Sequence, residues 1–260
     1  AEEPAHGISA DEIRALAVAG RDVYAGGTFR TAGTNWLDRI ARWDGTQWHP
    51  LGDGIAGFGS LEVRALAARG TNLYVGGFFD QAGGTNAGRI ARWDGARWHP
   101  LGSGVSGRVL ALAVANNGDV YAGGAFEFAG GVPATNIARW NGTNWSQVGR
   151  GLKGRLASQV NALKVRGNQL YAAGYFDSDH VFGMTNVAVW NGSFWSSLGS
   201  GANNGVNDGV FALETIGTNL YVGGAFTRAG TNHASRIARW DGTRWSTLGS
   251  GVNDIVYALA

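Results

Sequence analysis

Short apolar runs alternate with glycine-containing turns along the chain, and the same runs recur at a nearly constant spacing. The phrase Ile-Ala-Arg-Trp-Asp-Gly at residues 40–45 returns four times with small changes, and its tryptophans stand at positions 43, 93, 140, 190 and 240. A Val-x-Ala-Leu phrase and a Leu-Tyr-Val-Gly-Gly phrase precede it, and a second tryptophan follows five residues later in each copy. A fixed period of this length is typical of solenoids and propellers.

Each repeat predicts four short β-strands. The strands are Val-x-Ala-Leu, Leu-Tyr-Val-Gly-Gly, Ile-Ala-Arg-Trp and Trp-x-x-Leu-Gly, in that order. The Asp-Gly or Asn-Gly pair between strands three and four is a strong hairpin signal. The Ala-rich segment 11–19 also fits a capped helix, but its copies in the other repeats favour a strand. One structure should serve all copies, so we predict a strand there.

Four-stranded units repeated at this period predict an all-β fold, a β-propeller of antiparallel blades. A single blade leaves both apolar faces uncovered, whereas stacked blades bury them. We expect an N-terminal lead-in at 1–12 and one propeller domain at 13–260, with repeats at about 13–62, 63–108, 109–159, 160–209 and 210–255 and an extra strand at 256–260. Both ends fall inside the repeat, so a five-bladed ring with one surplus strand and a longer repeat array are both open interpretations.

The order of these phrases resembles kelch-type propeller repeats, which also carry a double glycine after an apolar-Tyr strand. It is more closely similar to repeats of large uncharacterised secreted bacterial proteins, and a related repeat occurs in fungal cell-polarity surface markers. The resemblance covers residues 13–260 and implies a fold rather than an activity, because propellers host many functions. The fourth repeat departs from it: Ala173 replaces the first glycine, Val189 replaces the arginine, and residues 177–184 replace the usual Ala-Gly stretch.

Composition narrows the possible functions. Glycine contributes 44 of 260 residues, but 4 prolines, 44% hydrophobic residues and 11% aromatic residues exclude collagen and disorder. The absence of cysteine excludes disulfides, a thiol nucleophile and Cys-ligated metals. A net charge of +2 does not indicate a nucleic-acid partner, and no apolar run predicts membrane insertion. Residues 1–4 would suit the mature end left by signal-peptide cleavage, so we expect an extracellular or cell-surface location.

Acidic residues offer the first candidate chemistry. Asp80, Glu127 and Asp177 follow the shared phenylalanine of strand two in three neighbouring repeats. They are either solvated loop charges or an acidic arc that binds cations or polyhydroxyl ligands, and such an arc could serve a glycoside hydrolase or lyase. His49 and His99 share a repeat position that is serine elsewhere, and no metal-binding spacing of histidines occurs.

Aromatic residues offer the second candidate. Ten of the eleven tryptophans belong to the repeat and should be buried between blades. Trp36 lies in the loop before strand three, which we align with Ala87, Ala134 and Ala234, and Phe182 lies in the unusual loop of the fourth repeat. We predict these two as exposed ligand contacts. Lys164 and Glu214 share a position in strand one of adjacent repeats, which predicts an inter-blade ion pair.

The sequence therefore predicts a non-catalytic binding or scaffold module. Its variable loops between strands two and three would be presented to a protein or glycan partner. We predict no catalytic residue, no cofactor and no metal. The first alternative is a carbohydrate-binding propeller with sites in or between blades, and the second is a propeller hydrolase or lyase that uses the acidic arc.

Overall fold

The computed structural model describes residues 8, 11–154, 158–177, 185–201 and 204–260, and these ranges contain no α-helix. Phe182 lies outside the described residues. Segment 11–19 contains a strand rather than a helix, as its copies in the other repeats predict.

The strands group into five blades in chain order. Blade 1 contains β1 (Ile13–Ala19), β2 (Asp22–Gly27), β3 (Thr31–Ala32), β4 (Asn35–Trp36), β5 (Ile40–Trp43) and β6 (Trp48–Pro50). Blade 2 follows β7 (Ile55–Ala56) and contains β8 (Glu62–Arg69), β9 (Asn72–Phe78), β10 (Gln81–Ala82), β11 (Thr85–Asn86), β12 (Ile90–Trp93) and β13 (Trp98–Pro100). Blade 3 contains β14 (Arg108–Val114), β15 (Val120–Ala125), β16 (Phe128–Ala129), β17 (Val132–Pro133), β18 (Ile137–Trp140) and β19 (Trp145–Gln147).

Blades 4 and 5 repeat the plan. Blade 4 contains β20 (Gln159–Arg166), β21 (Gln169–Asp177), β22 (Thr185–Trp190) and β23 (Trp195–Ser197). Blade 5 contains β24 (Val210–Ile216), β25 (Asn219–Gly224), β26 (Arg228–Ala229), β27 (Asn232–His233), β28 (Ile237–Trp240) and β29 (Trp245–Thr247).

Each blade is a four-stranded antiparallel sheet whose strands lie in chain order, such as β1-β2-β5-β6. The first strands of successive blades contact one another: β1 contacts β8, β8 contacts β14, β14 contacts β20, and β20 contacts β24. These five inner strands, together with residues 257–259, line one axial cavity. The β-propeller prediction is confirmed.

The first glycine of strand two sets how closely blades approach. A Cβ atom added to Gly26 would lie 2.3 Å from Cγ1 of Val63, on the inner strand of the next blade. The same distance is 2.4 Å for Gly76 and 2.6 Å for Gly123. The missing side chain therefore admits the valine, which is fully buried, into the interface.

The second glycine sets the spacing inside each blade. A Cβ atom on Gly124 would lie 1.9 Å from the carbonyl oxygen of Arg108 on the paired inner strand, and one on Gly77 would lie 2.0 Å from that of Glu62. The obstacle here is backbone rather than a movable side chain. The double glycine thus has two separate steric causes.

The paired tryptophans close the outer part of each blade. Their rings are tilted against each other with centroids 5.3–5.5 Å apart in all five blades. In blades 2 to 5 the second tryptophan also donates its Nε1–H to a backbone carbonyl at the end of the preceding blade, as Trp98 does to Leu51 at 2.7 Å. These tryptophans are buried or half-buried, as the repeat predicts.

Residues 256–259 occupy the place of a further inner strand. A Cβ atom added to Gly223 of blade 5 would lie 2.5 Å from Cγ1 of Val256. This is the same contact that is made between complete blades. At the other end of the array, Leu16 and Val18 on β1 are 63% and 68% exposed. Blade 1 therefore presents its inner strand to solvent.

The steric role of the second glycine predicts that Gly124→Ala is strongly destabilising. Overpacking against a fixed backbone should lower the free energy of unfolding by about 3 kcal/mol, measured by chemical denaturation. The control is Ala173→Gly, which restores the usual first glycine in blade 4 and should cost about 1 kcal/mol or less. Equal effects of the two changes would contradict this account.

An aspartate or asparagine side chain organises the hairpin between strands three and four. Oδ1 of Asp44 accepts hydrogen bonds from the backbone N–H groups of Thr46 and Gln47 at 2.8 and 2.9 Å, and Asn141 makes the equivalent bonds in blade 3. Hydrogen bonds from the Thr46 hydroxyl and the Gln47 N–H hold the pKa of Asp44 well below its usual range. Hydrogen bonds from backbone N–H groups do the same for Asp94 and Asp241.

These lowered pKa values predict a pH dependence of stability. Ionised Asp44, Asp94 and Asp241 contribute fully above about pH 4, and the contribution is lost as the pH falls further towards their folded-state pKa values. The triple variant D44N/D94N/D241N keeps the hydrogen-bond acceptors without the charge. Its melting temperature should therefore fall less than that of the wild type between about pH 5 and about pH 2. Parallel melting curves for the two proteins would contradict the prediction.

Candidate functional site

One end of the propeller carries small hairpins that the sequence did not predict. The two-residue strand pairs β3–β4, β10–β11, β16–β17 and β26–β27 lie within the connections between strands two and three. We call this end the hairpin face. The opposite end, which carries the turns between strands one and two and between strands three and four, is the turn face.

Three large aromatic side chains are exposed on the hairpin face of blades 1 to 3. Trp36 on β4 is 65% exposed, Phe58 in the connection before β8 is 88% exposed, and Phe128 on β16 is 45% exposed. The predicted exposure of Trp36 is confirmed. Phe58 and Phe128 were missed, because a single phenylalanine in a loop gives no sequence signal of its exposure.

The predicted alignment of Trp36 is wrong by one residue. The residue that is buried at the position of Ala87, Ala134 and Ala234 is Leu37, which donates its backbone N–H to the carbonyl of Arg30 as Ala87 does to Asp80. Trp36 pairs with Thr31 and corresponds instead to Asn86, which pairs with Gln81. The side chains of this outer hairpin strand point away from the core, which explains the exposure of Trp36.

The three candidate acids lie on three separate blades. Asp80 is half-buried, and its Oδ2 accepts a hydrogen bond from the backbone N–H of Phe58 at 3.0 Å. Glu127 and Asp177 are exposed. In blade 3 the loop is fixed by Ser106, whose Oγ accepts from the N–H groups of Glu127 and Phe128. Asp80 therefore positions the loop that carries Phe58.

In blades 1 to 4, a residue with a left-handed backbone near the start of strand three bonds to the connection that follows strand four. Arg39, Arg89, Asn136, Asn186 and Arg236 have φ between 59° and 72°. Nη1 of Arg39 donates to the carbonyl of Ile55 at 3.2 Å, and Nδ2 of Asn136 donates to that of Leu152 at 2.8 Å. The sequence has arginine at this position in blades 1, 2 and 5 and asparagine in blades 3 and 4. It gives no sign that the side chain bonds to the backbone of the next connection.

Two further sequence predictions concern polar pairs. Lys164 and Glu214 form the predicted inter-blade ion pair, with Nζ and Oε1 2.5 Å apart. Nε2 of His49 lies 2.6 Å from Oδ2 of Asp44, and His99 makes the same contact with Asp94. The shared histidines thus belong to the outer hairpins of blades 1 and 2.

On the part of the turn face formed by described residues, two clefts between blades were not predicted from the sequence. Cleft 1/2 and cleft 3/4 each have a volume of about 410 Å³. Cleft 1/2 is lined by Asp22, Tyr24 and Arg42 of blade 1 and Trp93 of blade 2, and cleft 3/4 by the corresponding Asp119, Tyr121, Arg139 and Trp190. Asp22 and Asp119 follow the turn between strands one and two, where an aspartate gives no sequence signal of a cleft.

An ion pair spans the floor of each cleft. Oδ2 of Asp22 lies 3.1 Å from Nη1 of Arg42, and Oδ2 of Asp119 lies 2.7 Å from Nε of Arg139. Burial raises the pKa of the neighbouring phenols of Tyr24 and Tyr121. Each cleft therefore combines a carboxylate, a guanidinium, a neutral phenol and an indole.

Within the described ranges, no group of three or more His, Asp or Glu side chains is arranged to hold a metal ion. Those ranges also contain no helix of the length and apolar character needed to cross a membrane.

A family model described as the Rax2 C-terminal beta propeller domain matches residues 55–215, from β7 into β24. The chain belongs to this family. The match agrees with the resemblance to repeats of fungal cell-polarity surface markers, whereas the likeness to kelch-type and secreted bacterial repeats stays a prediction. No curated protein matches the chain significantly.

Two solved structures of designed proteins are similar. The crystal structure of the computationally designed Ika8 protein has a TM-score of 0.61 and 21% identity, over 97% of this chain and 66% of that chain. The chain thus spans just under two thirds of the length of Ika8, and at this identity the likeness concerns the fold alone. The designed Ika4 protein has a TM-score of 0.43 and 20% identity, over 70% of this chain and 91% of that chain.

The position of Asp80 predicts a structural effect on the loop of Phe58. Asp80→Ala should lower the free energy of unfolding by about 1 kcal/mol, since it removes a hydrogen-bond acceptor at a half-exposed site. Asp80→Asn keeps an acceptor oxygen and should cost less, and Glu127→Gln should have no measurable effect. Chemical denaturation measures all three, and equal losses for Asp80→Ala and Glu127→Gln would contradict the assignment.

Proposed function

We propose that this propeller is a non-catalytic binding module that holds a protein partner on its hairpin face. The observation that carries the proposal is the exposure of Trp36, Phe58 and Phe128 on that one face of three neighbouring blades. Large aromatic side chains are enriched in the centres of protein interfaces, where they bury much area at a low cost in conformational entropy. Exposed on an unliganded surface, they favour a recognition role.

The backbone beneath these side chains is ordered before any partner binds. Asp80 fixes the loop of Phe58, Ser106 fixes the loop of Phe128, and the β3–β4 ladder holds Trp36. A surface fixed in advance loses little conformational entropy on binding. The hairpins vary between blades while the sheets beneath them are constant, which is how repeat proteins present binding loops.

Charged groups also occur on the connections of the hairpin face. Asp80, Glu127 and Asp177 would contribute a polar rim, which is typical of the edge of an interface. The guanidinium groups of Arg89 and Arg108 lie over the ring of Phe78, 5.5 and 5.2 Å from its centroid. An extracellular or cell-surface location is part of this proposal and rests on the resemblance to surface proteins.

The test compares two sets of surface substitutions. The variant W36S/F58S/F128S removes the aromatic groups of the hairpin face, and the control F194S/I216S removes two exposed apolar side chains elsewhere on the propeller. Each immobilised protein is presented with the extracellular proteins of the source organism. Proteins retained by the wild type are identified by mass spectrometry, purified and titrated by calorimetry.

We expect a purified partner whose affinity falls at least tenfold with W36S/F58S/F128S, about 1.4 kcal/mol or more, and is unchanged with the control. Equal binding to both variants would overturn the proposal. The catalytic alternative is tested in parallel with chromogenic glycosides. Turnover that is lost in Asp80→Asn or Asp177→Asn would contradict a non-catalytic role.

A further inference from the structure

We propose that cleft 1/2 and cleft 3/4 on the turn face are two equivalent binding sites for neutral saccharides. This goes beyond the proposed function, because the clefts lie at the end of the propeller opposite the hairpin face and share no residue with it. The argument rests on how these two clefts differ from the neighbouring blade interfaces, and on the chemistry of the groups that line them.

One residue at the end of strand one distinguishes the interfaces. Ala19 in blade 1 and Ala115 in blade 3 line the two clefts. Blades 2 and 4 carry Arg69 and Arg166 at the corresponding position. Arg69 donates a hydrogen bond to the carbonyl of Asn116 in blade 3, and Arg166 donates one to the carbonyl of Thr218 in blade 5.

These arginines span the space that the alanines leave open. Arg166 also lies over the ring of Tyr171, with its Cζ 5.3 Å from the centroid, and donates to the phenol oxygen at 2.8 Å. Tyr171 corresponds to the tyrosines that line the open clefts. At this position, interfaces 2/3 and 4/5 are therefore bridged by an arginine side chain, whereas interfaces 1/2 and 3/4 have an alanine.

The first residue of strand two differs between the same two pairs of blades as the strand-one residue described above. Blades 1 and 3, which have the alanine, carry Asp22 and Asp119, whereas blades 2 and 4 carry Asn72 and Gln169. The carboxylate thus occurs in the two blades whose clefts are open. Structural stabilisation of the turn does not require this pairing, because Asn72 and Gln169 occupy the same turn without a charge.

The lining groups match the chemistry of a sugar ring. A carboxylate accepts hydrogen bonds from hydroxyl groups and a guanidinium donates to their oxygens, while the indole of Trp93 or Trp190 provides an apolar wall for the C–H face of the ring. Cleft 3/4 adds side-chain amides, each both donor and acceptor, from Asn116, Gln147 and Asn168.

Charge and size restrict the ligand further. The ion pair in each cleft is internally balanced, so neither an anion nor a cation is favoured over a neutral ligand. A volume of about 410 Å³ falls within the range of about 300–1000 Å³ for small-molecule sites. A neutral monosaccharide or short oligosaccharide unit satisfies both conditions.

The test exchanges residues between equivalent positions of different blades. Ala19→Arg and Ala115→Arg introduce into blades 1 and 3 the arginine that bridges the other two interfaces. The matched control is Ile216→Arg, which places an arginine at the same repeat position in blade 5. Arg166→Ala removes a bridge and opens a third cleft. Asp22→Asn and Asp119→Asn change the cleft chemistry without changing its size.

The probes are a glycan array and the methyl glycosides of glucose, galactose, mannose and N-acetylglucosamine, followed by calorimetry and by tryptophan emission. We expect at least one saccharide to bind with two sites per chain. Either arginine substitution should remove one site and the pair should remove both, while Ile216→Arg leaves two. Arg166→Ala should also leave two, because Gln169 and Val189 give the opened interface neither the carboxylate nor the guanidinium. Each Asp→Asn change should weaken its own site at least tenfold.

Circular dichroism and thermal melting verify that each variant is folded. If an arginine variant does not fold, the Asp→Asn variant of the same cleft provides the test. The proposal is overturned if no saccharide binds the wild type. It is also overturned if binding persists at two sites in folded A19R/A115R, or in D22N/D119N with unchanged affinity.

Discussion

Each interface between neighbouring blades depends on one contact. A valine and a leucine of the inner strand pack against the first position of the double glycine in the preceding blade, where the side chain is absent or small. Gly26, Gly76 and Gly123 leave that space, whereas blade 4 has the small side chain of Ala173 there. Because a valine methyl group enters the volume that a Cβ atom would need, these three glycines allow neighbouring blades to pack closely. The axial cavity, the tryptophan hydrogen bonds and both clefts take their dimensions from this contact.

The strand plan was predictable because each element has a local signal that is repeated five times. The Asp-Gly or Asn-Gly hairpin, the double glycine and the Val-x-Ala-Leu strand each have a physical reason to form one structure. Their recurrence in five repeats makes each assignment more secure. The rejection of a helix at 11–19 followed from the same comparison, and β1 confirms it. Phe182 lies outside the described residues, so its predicted exposure stays a prediction.

The candidate sites were less predictable, because their signals are differences between repeats rather than similarities. The shift between Trp36 and Leu37 needed the backbone pairing of the β3–β4 hairpin. Predicting the clefts would have required comparing positions in two neighbouring blades. Ala19 lies three residues from Asp22, but Trp93, which lines the same cleft, is far along the chain. An aspartate in a turn carries no local sign that it also lines a cavity.

Polar ties are distributed unequally among the blade interfaces. Between blades 4 and 5, Arg166, the Lys164–Glu214 pair and Asn161, which donates to the carbonyl of Val210 at 2.9 Å, add to the common packing. Arg69 adds one such tie between blades 2 and 3. Arg14 and Glu62 add an ion pair between blades 1 and 2, with Nε and Oε2 3.4 Å apart. Among the described residues, a pulling force along the chain would therefore meet its greatest resistance between blades 4 and 5.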